Sequence, residues 1–425
     1  MRTVCSYVCK FTVRRNAKII GGITMFYREP KYYSEFHCTG PECTNNCCYG
    51  WRIDWSKEEI DKVKNAEKIS PELKTMVENS FVEMESAPKK NIVKFNEKNI
   101  CPFQLENGLC KIQRELGAEY LSLTCTVYPR KSVATRDYIY RNVNMSCPEV
   151  SKILSNNEDA MRLLNVIAEP QNLILNAQDT EEELKETPEL KYRSELLEFF
   201  YNLIADKSLS VENAIILGAL AAQALTKLVK EKKADDIPDA LIQIKRQLHN
   251  DAQIQKVDEI KPNYTVKFGI IDDLCINVCN FTMSKVLRDE TGTPNLDYYA
   301  LGEGNLNEMF SERQFWFRNI TLNTLLEMSL PFYMKDRTIF ENYAYFATVI
   351  GCYKLNAVAA AAVRNEVNIQ TQGQTFHFVG DQKVFGVISL ISRGLLQSNV
   401  EPKAVLRRLL DFSRLTPALA ALLVK

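Results

Sequence analysis

The chain has 425 residues, 25% of them charged and 46% hydrophobic, which is ordinary for a soluble globular protein of two or more domains. Lys plus Arg equals Asp plus Glu at 53 each, so no global basic field recommends nucleic acid as a partner. Only three histidines are present (His37, His249 and His377), far apart in sequence, which argues against a His-rich catalytic metal site or a Ser-His-Asp triad.

Residues 1–24 are basic and carry no acid. They read either as translated leader from a misplaced start, with Gly21-Gly22 just upstream of Met25, or as a disordered basic arm. From Tyr27 to Phe36 the chain is aromatic and extended. Trp51 to Trp55 is strand-like, and Ser56 with Glu59 forms a capping box that predicts a helix from Lys57 to about Glu67. Pro71 restarts the chain, and a second helix is expected over 72–86. Asn91–Phe95 reads as a strand, and the Asn107-Gly108 turn predicts a small hairpin between Phe103–Leu105 and Leu109–Ile112. Arg136–Val143 is another strand candidate.

After Pro148 the apolar spacing shifts to the helix period. Helices are expected over 149–168, 189–206, 210–233, 237–256, 266–289, 306–328, 336–365 and 381–397, with two short ones after Pro402 and Pro417. Clear alternating strands are nearly absent there. The expected class is mainly α: a small mixed α/β cysteine-rich N-terminal metal-binding domain (25–152) followed by a large helical domain (153–425).

The first domain holds the chemistry. Cys38, Cys43, Cys47 and Cys48 fall within eleven residues, and Cys101, Cys110, Cys125 and Cys147 follow singly. They stand among Gly, Pro, Asn and Thr, which is loop composition, so disulfides, structural zinc or an iron–sulfur cluster are the options. No signal peptide is visible, and the apolar stretch from Phe346 to Val363 is broken by Lys354, so neither export nor membrane insertion is expected. A cytosolic chain keeps its thiols reduced, which favours metal over disulfides. The spacings of four, three and zero residues are not those of a zinc ribbon, and they allow a cluster without requiring one.

The run C-x4-C-x3-C-C-x-G-W resembles the start of the bacterial flagellin lysine N-methylases. The likeness continues through Cys101-Pro-Phe103, Asn107-Gly-Leu-Cys110, Leu116-Gly117, Leu121-Ser-x-x-Cys125, Tyr128-Pro-Arg130 and Met145-Ser-Cys147-Pro-Glu149, with a fainter echo at Glu341-Asn-Tyr343. The cysteine module also resembles that of a wider group of zinc- or iron-chelating domain proteins. The methylase resemblance implies methyl transfer from S-adenosylmethionine to lysine ε-amines of flagellin, and a [4Fe–4S] cluster on the cysteines rather than zinc. Cys38, Cys43 and either Cys47 or Cys48 are the favoured ligands, joined by one or more of Cys101, Cys110, Cys125 and Cys147. The rival reading is a non-enzymatic metal-binding or redox module with a helical platform for a partner.

Other candidates carry less. No glycine-rich loop follows a strand, so the doubly wound domain that commonly binds S-adenosylmethionine is not visible, and Gly302-Glu-Gly304 reads as a turn. Neither the cofactor's seat nor the catalytic base can be read from the residues. Arg130 is either a surface ion-pair partner or a functional charge that offsets the thiolates or holds an anionic carboxylate. Cys275, Cys279 and Cys352 are expected in the core, as are Phe310, Phe315, Trp316, Phe317, Phe332 and Tyr333.

Overall fold

The computed structural model describes residues 25–83, 90–135, 137–168, 175–177, 179, 181–371, 374–397, 402–412 and 415–425, so the expected leader or arm at 1–24 lies outside them. Strands β1 (Met25–Pro30), β5 (Arg130–Ala134), β6 (Ile139–Val143), β7 (Leu163–Ala168) and β8 (Leu175–Ala177) form one sheet in the order β7-β1-β6-β5-β8. A smaller sheet has the order β2-β4-β3, from β2 (Asp54–Ser56), β3 (Phe81–Glu83) and β4 (Lys90–Val93). In the larger sheet β1 runs parallel to β6 and antiparallel to β7. Buried Glu29 accepts from Arg141 Nε at 2.6 Å, and that guanidinium lies 3.6 Å from the ring centre of Tyr27, so charge on the sheet's inner face is paired and covered.

The capping box at Ser56 and Glu59 is formed from both sides, and α1 (Lys57–Lys64) follows it; α2 (Pro71–Asn79) starts on Pro71 with Ser70 as its cap. The Asn107-Gly108 turn is present, with Gly108 at φ +79°, but the ladder there is a single bridge between Gln104 and Cys110. Lys111 already starts α3 (Lys111–Leu116), where it pairs with Glu115 one turn on and with Glu72 of α2. Helix α4 (Leu123–Val127) is capped by Ser122.

The helix expected over 149–168 is instead α5 (Pro148–Asn156) followed by β7. Asn157 turns extended, and Leu163–Ala168 answers the open edge of β1, where tertiary pairing overrides the helical period. Beyond it come α6 (Glu181–Glu186), α7 (Arg193–Ala205) and α8 (Val211–Lys230), the last capped by Ser210. The stretch 237–256 divides into α9 (Ile237–Leu248) and α10 (Asp251–Asp258) because Asn250 caps the second. After α11 (Tyr264–Leu274) a π-helical turn, Cys275–Cys279, ends the expected 266–289 helix early.

The stretch 306–328 likewise splits, into α12 (Leu296–Met309) and α13 (Trp316–Glu327). Gly302 and Gly304 are helical in α12 rather than a turn. A Cβ on Gly302 would lie 2.5 Å from the carbonyl oxygen of Val358 on α14 (Ile339–Ala362), so the glycine serves close helix packing. Two further strands, β9 (Val367–Thr371) and β10 (Gln374–Phe378), form an antiparallel hairpin before α15 (Gln382–Ser392), where no strand was expected. A π-helical turn, Arg393–Gln397, and helices α16 (Pro402–Phe412) and α17 (Pro417–Val424) complete the described chain.

Apolar burial forms two clusters. The smaller gathers Ile53, Trp55, Ile60, Val63, Leu73, Val77, Val93, Phe103 and Ile112. The larger runs through the helices and takes in Tyr32, Phe36, Tyr49, Tyr140, Val143 and Met145 from the N-terminal stretch. Tyr32 Oη donates to Asn323 Oδ1 at 2.6 Å, and Asn323 Nδ2 donates to the Val143 carbonyl at 2.9 Å, which ties β6 to α13. Helices α8 and α14 are long and apolar enough to cross a membrane by length and composition, and most of each apolar window is buried inside the protein.

Candidate metal centre

Short loops and helix starts bring the eight clustered cysteines together, and all eight are unbridged. Cys38 lies exposed before a 3-10 turn, Gly40–Glu42, and Cys43 follows it. Asn46 accepts the Cys48 N–H through its Oδ1 at 3.0 Å, an Asx turn that fixes Cys47 and Cys48 side by side. Trp51 Nε1 donates to the Cys47 carbonyl at 2.6 Å, and its ring packs 4.8 Å from that of Tyr128. The Cys101 N–H donates to the Cys48 carbonyl at 2.8 Å. Cys110 and Cys147 sit at the N-caps of α3 and α5, at the positive end of each helix dipole, where a thiolate is favoured.

The thiols fall into two neighbourhoods within reach of each other's charge. Cys47, Cys48, Cys101, Cys110 and Cys125 form one, around the smaller core; Cys38, Cys43 and Cys147 form the other, and Cys43 and Cys47 join them. Burial pushes the Cys101, Cys125 and Cys147 thiols up to about 12 and raises that of Cys43. Cys47 moves the other way, because the Cys48 thiol donates to its sulfur and Arg393 adds positive charge. Buried thiols that resist ionisation in isolation suit a centre that displaces their protons by coordination. Among the described residues no three His, Cys, Asp or Glu side chains are disposed to hold a single metal ion. A cluster spreads its thiolates over several irons, so it asks for a neighbourhood of cysteines rather than one tight sphere.

Arg393 is the residue the sequence left unmarked. It is fully buried at the end of α15 and donates long hydrogen bonds to the carbonyls of Asn45, Asn46 and Ser146, at 3.4–3.5 Å. Its guanidinium lies 4.3 Å from the ring centre of Tyr49, with its charge toward Cys43 and Cys47. Arg130, for which the sequence left a surface ion pair or a role beside the thiolates open, donates to the Phe36 carbonyl at 3.3 Å and covers the rings of Phe36 and Tyr33. An arginine directly after the apolar run of α15 was the available signal, since such an arginine is buried only with partners. Ser389 strengthens the same contact: it accepts from Asn45 Nδ2 at 2.7 Å and donates to the Ser146 carbonyl at 2.8 Å. Tyr49 also packs 5.0 Å from Phe376 of β10, so the hairpin closes over the cysteine loop.

Cys275, Cys279 and Cys352 are buried in the larger core, with the Cys279 and Cys352 thiols both hydrogen-bonded to that of Cys275. Phe310, Trp316, Phe317 and Phe332 are buried as well, while Phe315 and Tyr333 are half-buried.

Residues 197–406 match the FliB lysine N-methylase C-terminal domain. The chain is similar to the flagellar biosynthetic protein FliU of Salmonella muenchen, 30% identical over 141 residues that make up 32% of this chain and 80% of that protein. It is also 30% identical over 141 residues to lysine-N-methylases of Salmonella typhimurium and Salmonella choleraesuis, covering 34% of each, so it spans about a third of their length. No solved structure matches it.

Proposed function

This chain belongs to the FliB lysine N-methylase family, one of protein-lysine N-methyltransferases, and on that ground we propose that it moves a methyl group from S-adenosylmethionine to lysine ε-amines of flagellin before export. The observation that carries the proposal is where the family match falls. Residues 197–406 include Ser389 and Arg393, the side chains that grip the cysteine loop, so the family's C-terminal domain and the cysteine centre meet at one interface.

Methyl transfer to lysine asks for two things. The ammonium must lose its proton, by desolvation or a nearby base, and nitrogen, methyl carbon and sulfonium must be held in line. We also propose that the clustered cysteines hold an iron–sulfur cluster, with Cys38, Cys43 and Cys47 or Cys48 supplying ligands from the first loop and the later cysteines completing the set. Eight thiols exceed what one tetrahedral zinc needs, and their irregular spacing supports the cluster. Zinc is the alternative.

The test is anaerobically purified protein, metal intact, incubated with isotope-labelled S-adenosylmethionine and monomeric flagellin. Lysines of flagellin that gain the label support the reading. If no lysine gains mass while the metal is retained, the methylase reading fails and a non-catalytic metal-binding module takes its place.

A further inference from the structure

We propose that the outer face of α12 is the surface on which the lysine-bearing protein substrate docks. The inference rests on the methylase reading and adds to it the place where flagellin is held.

Helix α12 is fixed on one side and bare on the other. Asn295 Oδ1 accepts the Asp297 and Tyr298 N–H groups at 3.0 and 3.2 Å, which anchors its start. Tyr299, Gly302 and Leu306 are buried, and Gly302 closes against Val358 of α14. Three large apolar side chains nevertheless stand in solvent over its first two turns: Leu296 is 54%, Tyr298 48% and Leu301 47% exposed. Among the described residues no other helix exposes more than one such side chain. Single exposed leucines are ordinary, whereas a group of them on one anchored helix marks an interaction face.

The outer face has an order. Asp297, Leu301, Gly304 and Glu308 are all exposed and follow one another at helical spacing, which puts them in one stripe. A Cβ on Gly304 would meet nothing within 4 Å, so a partner can come close to the helix backbone beside Leu301. The two acids stand roughly 16 Å apart, at either end of this apolar notch.

Charge selects the occupant. Between residues 289 and 312 the chain has six acids and no base. The arginines that flank this stretch are engaged elsewhere, Arg288 with Asp272 and Arg313 with Asp381, and none of the six acids closes an ion pair among the described residues. A second copy docked through the same face would set acid against acid, and nucleic acid or an anionic membrane would be repelled. A segment with lysines on either side of an apolar residue is complementary: its ammoniums meet Asp297 and Glu308 while the apolar side chain covers Leu301. A protein-lysine methylase handles such segments, and the lysines not reacting supply the charge.

Calorimetry with monomeric flagellin and the metal-containing full chain tests the face. The wild type should bind flagellin, and more weakly as salt is raised. Asp297→Lys combined with Glu308→Lys should weaken binding roughly tenfold or more, and Gly304→Leu, which fills the notch, should do the same. Ile242→Ser, which removes an equally exposed apolar side chain from α9, should bind as the wild type does. Thermal melts verify that the variants fold, and Gly304→Leu carries the test should the double variant unfold. Flagellin with acetylated lysines should bind the wild type as weakly as unmodified flagellin binds the double variant. Folded stripe variants that bind like wild type, or acetylated flagellin that binds like unmodified, overturn the docking face. So does wild-type protein that binds no flagellin. In each case label transferred to flagellin lysines by the wild type leaves the methylase reading standing, and its absence removes that reading as well.

Discussion

Arg393 donates to the Asn46 carbonyl across 347 residues of sequence, and its charge faces the neighbouring Cys47 thiol. One buried guanidinium thus joins the end of α15 to the cysteine loop and supplies positive charge where thiolates would form. Such a group both holds the loop and favours anionic sulfur beside it.

Arg393→Met should therefore lose on two counts. Carbonyls of Asn45, Asn46 and Ser146 lose a donor inside the protein, which should cost about 2–3 kcal/mol of stability. Iron and sulfide per chain should fall as well. Arg130→Met, whose partner is the Phe36 carbonyl, should leave metal content near wild type. Urea midpoints and metal assays on both variants measure this, and equal metal content in the two would sever Arg393 from the centre.

Replacing Cys43 by Ser should bleach anaerobically purified protein, because Cys43 is where the two thiol neighbourhoods join. Cys275→Ser should leave metal content unchanged, since Cys275 sits with Cys279 and Cys352 in the larger core. Iron, sulfide and zinc are the quantities to assay. Colourless wild-type protein with stoichiometric zinc would end the cluster assignment.

How far the sequence could be read depended on the range of the cause. Ser56 and Glu59 make their capping box within one turn, and Ser210 caps α8 in the same way, so both were legible. Leu163–Ala168 has a helical spacing but pairs with β1, more than a hundred residues away, and no local pattern announces that edge. Val367–Thr371 was legible in principle, because its residues alternate buried and exposed with the period of a strand. The eight cysteines were found by their loop setting, whereas their division into two neighbourhoods and the role of Arg393 follow from how α15 docks.

Gly302 and Gly304 should respond oppositely to alanine. Both lie in α12, where alanine is the better helix former by up to about 1 kcal/mol. A Cβ on Gly304 meets nothing within 4 Å, so Gly304→Ala should raise stability slightly. On Gly302 it would press against the Val358 backbone at 2.5 Å, which cannot swing aside as a side chain could. Gly302→Ala should destabilise by about 1–3 kcal/mol. Thermal melts of the two variants decide it, and a stabilised Gly302→Ala would mean that α12 and α14 pack farther apart.

Lys267 should make stability rise with pH above neutrality. Its ammonium is buried in α11, where it donates to Tyr299 Oη at 3.4 Å. Burial, then the charge of Lys354, pulls it from its ordinary 10.5 to about 7, with Glu303 and Glu212 opposing. Between those two values the unfolded chain holds a proton that the folded protein does not, so raising the pH across that window favours folding. At pH 7–8 most of the penalty is in force. Lys267→Met removes the group that must shed its proton and keeps most of the side-chain volume. The variant should be more stable than wild type near pH 7 by roughly 1–3 kcal/mol, and the gap should close as the pH approaches 10. Measuring urea midpoints of both proteins at pH 7, 8.5 and 10 isolates the effect, because other groups titrating in this range are common to both. A constant gap across the three pH values would mean that Lys267 keeps its proton when buried, held by Glu303 and Glu212 more firmly than burial opposes.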